Sequence, residues 1–265
     1  MQQQPSQVHV EQVMGTVVSI RVRGTRDAGS AFTAVAAMLH GVDRRFSTYR
    51  PDSEVSRFRR GETVLAERGD FAGVLERCGS LQQSTAGAFD AWAGGGFDPS
   101  AWVKGWSVDR AGDLLTELGH DDWMINVGGD VLVNAPVTSA PWRIGVQHPV
   151  DPTGLATVLQ ARQLAVATSG SYFRGRHIVD PRTGEGSSAA LSTTVCGPSL
   201  GMADALSTAA FVLGPEGPAM VGRHPSYDCW TALPDHRVLT TVGFPRVVHG
   251  VPISVDRCSP LGAAA

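Results

Sequence analysis

The stretch Trp123-Met-Ile-Asn-Val-Gly-Gly-Asp-Val-Leu-Val-Asn134 decides the fold class of this chain. Apolar and β-branched residues flank Gly128-Gly129, which predicts two short strands, 123–127 and 131–134, joined by a hairpin turn. Three more strands are predicted directly after this pair, over 142–147, 155–159 and 164–168. Because strands follow strands here, we expect largely antiparallel sheets rather than a regular array of strand-helix-strand units.

Helices are predicted in groups on both sides of this strand-rich middle. Apolar spacing before it predicts helices over 28–42, 53–60, 71–82 and 107–118, and the opening 9–23 predicts two short strands or one broken strand around Met14-Gly15-Thr16. After it, a strand over 191–196, a helix over 202–213 and strands over 229–233 and 238–242 are predicted. This grouping is typical of an α+β chain with packed helices. One domain and two halves that share a site fit it equally well.

Composition excludes some classes of function. The chain has 265 residues, of which 42% are hydrophobic, so it is long enough for a sizeable core. Its formal net charge is −3 and no run of Lys and Arg forms a basic tail, so we expect no nucleic-acid partner. The densest basic cluster, Arg57, Arg59 and Arg60, is predicted to be a solvated helix face.

Localisation is predicted to be cytoplasmic, unless a leader has been removed. The N-terminus shows neither a basic n-region nor an apolar h-region, and no apolar stretch is long enough to be a transmembrane segment. The four cysteines form no Cys-x-x-Cys pair and are interpreted as reduced, mostly buried thiols.

The run from Met202 to Gly214 contains one ionisable residue, Asp204, in a predicted helix that is otherwise apolar or small. A buried carboxylate needs a positive or hydrogen-bonding partner. Thr208 lies one turn further on the same face, and two such hard oxygens can share a cation such as Mg²⁺. The alternative is structural: Asp204 caps a neighbouring backbone segment and Thr208 bonds back to its own helix.

Lys104 lies close to a predicted helix start within the stretch from Phe97 to Arg110. A positive charge beside free backbone N–H groups favours a phosphate ligand. Asp98 is a candidate for orienting a ligand hydroxyl or ring N–H. The alternative for Lys104 is a structural ion pair with Asp109.

His177 precedes the stretch Asp180-Pro-Arg-Thr-Gly184, which predicts a tight turn because Pro fixes φ and Gly accepts a positive φ. A single histidine is more often structural than a base, so both roles stay open.

Seven short blocks follow one another along the chain: Met14-Gly-Thr16, Arg45-Phe-Ser-Thr-Tyr-Arg-Pro-Asp-Ser-Glu-Val-Ser56, Gly87-Ala-Phe-Asp90, Asp98 to Asp109 with Lys104-Gly-Trp-Ser, Asn126-Val-Gly-Gly-Asp130, Ser169-Gly to Gly184, and Ala203-Asp-Ala-Leu-Ser-Thr208. Their order is more specific than any one of them, and it closely resembles the ApbE family of FAD:protein FMN transferases over nearly all of residues 9–245.

The resemblance implies an α+β, T-fold-like scaffold that binds FAD with Mg²⁺ at the pyrophosphate. It implies metal ligands at Asp204, Thr208 and the backbone carbonyl of Ala101. It implies FAD contacts at Met14, Tyr49, Ala88, Phe89, Asp90, Asp98, Lys104, His177 and Ile178. Residues 9–245 would be the transferase domain, between a flexible N-terminus, 1–8, and a C-terminal extension, 246–265.

The sequence departs from the family pattern at three places, one of which is Ser171, where the family usually has an acidic residue. Ala101 stands where the family usually has glycine, and only residues 91–97 separate the Gly87–Asp90 block from the Asp98–Lys104 block.

The activity that the resemblance implies is transfer of FMN from FAD to a serine or threonine hydroxyl of an acceptor protein, with AMP as the leaving group. Asp204 would act through the metal and His177 would accept the hydroxyl proton. Two alternatives remain: a metal-dependent FAD pyrophosphatase with water as acceptor, and a non-catalytic flavin-binding protein.

Overall fold

The computed structural model describes residues 5–151, 153–170, 178–245 and 255–257. Its strands are β1 (Ser6–Val13), β2 (Thr16–Arg23), β3 (Trp123–Val127), β4 (Asp130–Asn134), β5 (Trp142–Gln147), β6 (Leu155–Ala161), β7 (Gln163–Gly170), β8 (Ser192–Gly197), β9 (Asp228–Ala232), β10 (Val238–Thr240) and β11 (Val255–Arg257). Its α-helices are α1 (Gly29–Phe46), α2 (Glu54–Arg59), α3 (Gly69–Ser84), α4 (Ser100–Glu117), α5 (Leu200–Leu213) and α6 (Gly217–Val221).

The strands form a nine-stranded sheet in the order β1-β2-β3-β4-β7-β8-β9-β10-β11, and β5 and β6 pair separately as a hairpin. Every pair in the large sheet is antiparallel except β10 with β11. At its centre Val127 pairs with Asp130 across Gly128-Gly129, whose φ angles of 59° and 106° favour glycine. The predicted glycine hairpin and the α+β, T-fold-like class with largely antiparallel strands are confirmed.

The first hairpin extends further towards the N-terminus than predicted. β1 begins at Ser6, which pairs with Arg23 of β2, whereas the sequence predicted a flexible segment over 1–8. The physical reason is the partner strand, since β2 offers a full row of backbone groups as far as Arg23. Met14 and Gly15 form the turn, and both have positive φ.

Helix α4 begins seven residues before the predicted start at 107, so it includes Lys104 in its second turn. Trp102 and Val103 are buried and extend the apolar face of the helix towards its N-terminus. Lys104 therefore lies one turn beyond the first backbone N–H groups of the helix. The sequence pattern had placed it beside these groups, where a phosphate would be favoured.

Two apolar clusters lie on opposite faces of the sheet. The larger joins α1, α3, α4 and α5 to residues such as Ile125 and Leu132. The smaller places Trp142 of β5 against Val131 and Val133 of β4. Because neighbouring residues of a strand point to opposite faces, Leu132 belongs to one cluster while Val131 and Val133 belong to the other. In the described part of the chain, no helix combines the length and apolar character needed to cross a bilayer.

Helices α4 and α5 approach each other closely at two glycines. A Cβ atom at position 105 would lie 2.6 Å from the carbonyl oxygen of Leu200 and 2.7 Å from Cα of Gly201. These neighbours are backbone atoms, so they cannot rotate away, and only a hydrogen at position 105 permits this distance between the helices.

We expect Gly105→Ala to lower the free energy of unfolding by about 1–3 kcal/mol, because the added methyl group forces α4 and α5 apart. The measurement is urea unfolding followed by circular dichroism. The matched control is Gly79→Ala in α3, where an added Cβ meets no atom within 4 Å. The control should stabilise the protein by about 0.5–1 kcal/mol through helix propensity. Equal midpoints for the two variants would contradict the close packing.

Candidate active site

Asp109 of α4 fixes the beginning of α5. Its Oδ1 accepts a hydrogen bond from the amide of Leu200 at 2.6 Å, and its Oδ2 accepts from the Ser199 hydroxyl at 2.8 Å and the Gly201 amide at 2.9 Å. Burial raises the pKa of Asp109, although these three bonds favour its ionised form. The predicted alternative, an ion pair between Asp109 and Lys104, is wrong because Lys104 has other partners.

Lys104 joins two carboxylates from different elements. Its Nζ lies 2.6 Å from Oδ2 of Asp130, the first residue of β4, and 3.3 Å from Oδ2 of Asp204 in α5. The other oxygen of Asp130 accepts a hydrogen bond from the backbone amide of Thr168 at 2.9 Å. The ammonium group therefore sits where α4, α5 and the centre of the sheet meet.

The charges of this cluster do not cancel. Both carboxylates are buried, while about a third of the Lys104 side chain is exposed. Burial raises the pKa of Asp204 to about 7; Lys104 opposes this effect and Asp130 adds to it. Burial lowers the pKa of Lys104, but Asp204 and Asp130 together hold it above its usual value. With both carboxylates ionised the cluster carries one net negative charge, which favours an additional cation or proton.

Oδ2 of Asp204 is a buried atom with unused bonding capacity. It lies in ion-pair contact with Lys104, yet it forms no hydrogen bond with any described residue. One turn later the Thr208 hydroxyl contacts the backbone carbonyl of Asp204 at 3.2 Å and the Ser169 hydroxyl at 3.2 Å. Thr208 thus forms the bond to its own helix that the structural alternative predicted, while its remaining lone pair can still serve a cation.

The residues predicted to hold a metal offer the type of donor atom that a hard cation prefers. No group of three His, Cys, Asp or Glu side chains suited to a metal occurs among the described residues. The donors present are instead the free carboxylate oxygen of Asp204, the Thr208 hydroxyl and the carbonyl of Ala101 in the first turn of α4. Ala101 is not among the residues with positive φ, so alanine is compatible with its backbone. All three are oxygen donors, as Mg²⁺ requires, and water and phosphate oxygens can complete its coordination.

Two cavities adjoin at Ser100, at the beginning of α4. One has a volume of about 600 Å³ and is lined by Arg59, Asp90, Ala91, Gly94, Gly95, Gly96, Asp98, Ser100 and Ala101. The other has a volume of about 360 Å³ and is lined by Met14, Gly15, Val42, Asp43, Phe46, Ser47, Thr48, Tyr49, Ser100, Val103 and Lys104. The predicted residues Asp90, Asp98 and Ala101 line the first, and Met14, Tyr49 and Lys104 line the second.

The remaining predicted contacts line neither cavity or lie outside the described residues. Ala88 and Phe89 are buried directly before Asp90, and Ile178 is partly buried against the larger apolar cluster. The predicted turn after Ile178 is present, since the amide of Gly184 donates to the carbonyl of Asp180 at 2.8 Å. His177 lies outside the described residues, so its position and role stay predictions.

Comparison with known proteins decides the family. The sequence model of the ApbE family matches residues 14–95 and 93–231. The chain belongs to the ApbE family. It is 28% identical to the FAD:protein FMN transferase of Vibrio cholerae, over 79% of this chain and 82% of that protein. It is 28% identical to the FAD:protein FMN transferase of Haemophilus influenzae, over 68% of this chain and 71% of that protein.

Solved structures of ApbE proteins share the fold. The flavin transferase ApbE from Vibrio cholerae aligns with a TM-score of 0.78 at 24% identity, over 87% of this chain and 94% of that one. The ApbE protein from Thermotoga maritima aligns with a TM-score of 0.75 at 20% identity, over 88% of this chain and 96% of that one. The confirmed resemblance thus extends to the architecture that brings α4, α5 and the sheet together.

Two residues of this ApbE-family site were not predicted from the sequence. Asp130 was interpreted only as part of a hairpin, although an acid at the start of a buried strand indicates a need for a partner. Arg59 lies on an exposed helix face, as predicted, but its contacts were not predicted: it donates to the carbonyl of Phe97 at 2.7 Å and lines the larger cavity. Asp98 also lies within reach of its guanidinium group.

Proposed function

We propose that this protein transfers the FMN half of FAD to a serine or threonine hydroxyl of an acceptor protein, with Mg²⁺ bound and AMP released. The observation that carries the proposal is the pair of cavities that adjoin at Ser100: Lys104 lines the smaller one and is in ion-pair contact with Asp204. FAD consists of two ring systems joined by a pyrophosphate, which suits two cavities with a charged junction between them. The names of the relatives from Vibrio cholerae and Haemophilus influenzae support the same activity.

The junction offers positive charge to the pyrophosphate through the side chain of Lys104, while two of the nearby backbone amides already have acceptors. The amide of Ser100 donates to Asp98, and the amide of Val103 donates to the carbonyl of Pro99. The ammonium group of Lys104 is the cation that lines the smaller cavity. Tyr49 has 95% of its surface exposed at the rim of that cavity, so its ring is free to stack on an aromatic ligand.

In the proposed reaction the acceptor hydroxyl attacks the phosphorus of the FMN half, in line with the bond to AMP. An oxygen–phosphorus bond forms to the acceptor, the bond to the bridging oxygen breaks, and AMP leaves with that oxygen and its electron pair. His177 accepts the hydroxyl proton. When held by Asp204, Thr208 and the carbonyl of Ala101, Mg²⁺ would neutralise charge on the pyrophosphate oxygens. Lys104 orients the phosphate, and Asp90 and Asp98 provide acceptors for polar groups of the ligand.

The function is tested by incubating the protein with FAD, Mg²⁺ and an acceptor flavoprotein that carries the target hydroxyl. We expect AMP and flavinylated acceptor in equal amounts, measured by chromatography and mass spectrometry. An arm without acceptor tests the pyrophosphatase alternative, which predicts free FMN and AMP at the same rate. Neither product in either arm would leave only the non-catalytic flavin-binding alternative.

We expect His177→Ala to slow FMN transfer by about 10²–10⁴-fold while FAD still binds, because general-base assistance is lost. The measurements are the transfer rate at saturating FAD and the FAD dissociation constant from flavin fluorescence. The matched control is His148→Ala, in the loop between β5 and β6 and outside both cavities. Weak FAD binding with a normal rate at saturation would show instead that His177 only contacts the flavin.

A further inference from the structure

The geometry points to Asp130 as a positioning residue, an inference that rests on the proposed function. Asp130 holds the ammonium group of Lys104 and thereby keeps Oδ2 of Asp204 open to a divalent cation. The family resemblance assigns no role to Asp130. Its role is inferred from the contacts around Lys104.

Asp130 is itself held rigidly. It follows the Gly128-Gly129 turn as the first residue of β4, and its side chain is buried. Its Oδ1 accepts the hydrogen bond from the Thr168 amide in the neighbouring strand β7, which fixes the plane of the carboxylate. Oδ2 is thereby directed at Lys104 from the sheet side of the cluster.

The two carboxylates contact Lys104 unequally. Nζ donates a hydrogen bond to Oδ2 of Asp130 at 2.6 Å, while it lies 3.3 Å from Oδ2 of Asp204 without hydrogen-bond geometry. The short charge-assisted hydrogen bond to Asp130 is stronger than the longer ion-pair contact with Asp204, so Asp130 determines where the ammonium group rests. Without the charge of Asp130, Nζ would have Asp204 as its remaining anionic partner in the cluster and would occupy Oδ2.

The net charge of the cluster and the hydrogen bond from Lys104 to Asp130 both favour a cation at Asp204. The ionised cluster has two carboxylates and one ammonium group, hence one net negative charge. Asp130→Asn removes that net charge, so the field that attracts a divalent cation weakens as the open oxygen is lost. The double variant Lys104→Met with Asp130→Asn removes both the competing ammonium and the carboxylate, and it restores one net negative charge.

The test measures Mn²⁺ binding by electron paramagnetic resonance, with every variant saturated with FAD as checked by flavin fluorescence. Asparagine keeps an oxygen that can accept the bond from the Thr168 amide, so Asp130→Asn should fold. We expect this variant to bind Mn²⁺ about tenfold or more weakly than the wild type. The double variant should recover binding to within about threefold of the wild type, because the two changes are coupled.

Two results would overturn the inference: Asp130→Asn that binds Mn²⁺ as the wild type does, or a double variant that binds no better than Asp130→Asn. The second is the outcome of a merely structural role, since removing Lys104 as well would not repair a damaged fold. If Asp130→Asn is unstable in circular dichroism, the double variant alone decides, because it must bind Mn²⁺ as the wild type does.

The experiments distinguish failure of the proposed transferase function from failure of the role proposed for Asp130. A wild-type protein that binds Mn²⁺ but produces no flavinylated acceptor contradicts the transferase proposal and leaves the role of Asp130 towards the cation intact. A wild-type protein that transfers FMN but binds no Mn²⁺ contradicts both the metal assignment and the role of Asp130.

Discussion

Asp204→Asn is expected to abolish Mg²⁺-dependent FMN transfer and to leave the fold intact. The substitution removes a carboxylate whose Oδ2 is buried without a hydrogen bond, and with it the anionic ligand of the proposed metal site. A bound metal supplies several kcal/mol of charge stabilisation, so the rate of transfer should fall by roughly 10³-fold or more. The measurement is the initial rate of flavinylation over a range of Mg²⁺ concentrations.

The stability of Asp204→Asn separates a functional role of Asp204 from a structural one. Burial disfavours the ionised form of Asp204, as its raised pKa shows, and Lys104 keeps its 2.6 Å bond to Asp130 in the variant. Because Lys104 keeps an anionic partner, the substitution leaves no uncompensated buried charge, and we expect a change in unfolding free energy within about 1 kcal/mol. Asp113→Asn, an exposed acid on α4, is the control and should keep wild-type activity. Persistent Mg²⁺-dependent transfer by Asp204→Asn would show that the metal is held elsewhere.

Lys104→Met is expected to have the largest effect on stability. It leaves two buried carboxylates, Asp130 and Asp204, without the ammonium group that lies between them. Removing one partner of a buried ion pair costs about 3–5 kcal/mol, and we expect about 3 because a third of the Lys104 side chain is exposed. Urea unfolding in the presence of a chelator measures this loss.

Two further measurements on the same variant identify the cause. Adding Asp130→Asn should recover most of the lost stability, because it removes one of the two negative charges that repel each other. FAD affinity should fall roughly ten- to a hundredfold, since a charge-assisted hydrogen bond contributes about 1.5–3 kcal/mol. A variant as stable as the wild type would contradict the charge balance described here, and an unchanged FAD titration would remove Lys104 from the ligand site.

Local signals carried most of the fold prediction. The hairpin at Gly128-Gly129 was predictable because its turn residues and flanking strands lie within one short stretch. The start of α4 was not, because Gly105 is a poor helix former and weakens the local helical pattern. Glycine is required there by α5, whose backbone lies within 2.6 Å of a Cβ at that position, and this contact spans nearly a hundred residues of sequence.

The site was predictable to the extent that a single element revealed it. Asp204 stood out as an acid in an apolar helix, and Thr208 followed from helical spacing. The hydrogen bond between Lys104 and Asp130 could not be predicted from the sequence, because it joins two elements whose relative position is determined only by the folded sheet. For the same reason the contact of Arg59 with the carbonyl of Phe97 was not predicted, although its exposed position on the helix was.

In the proposed complex, FAD and a divalent cation meet where α4, α5 and the sheet join, with the two halves of FAD in the two adjoining cavities. A crystal structure with FAD and Mn²⁺, with data collected for the anomalous signal of manganese, tests it most directly. We predict an anomalous peak in contact with Asp204 Oδ2 and the Thr208 hydroxyl, and a pyrophosphate beside Lys104 with one ring system on each side of Ser100. A manganese peak away from Asp204, or FAD bound outside both cavities, would contradict this placement of the cation and of FAD.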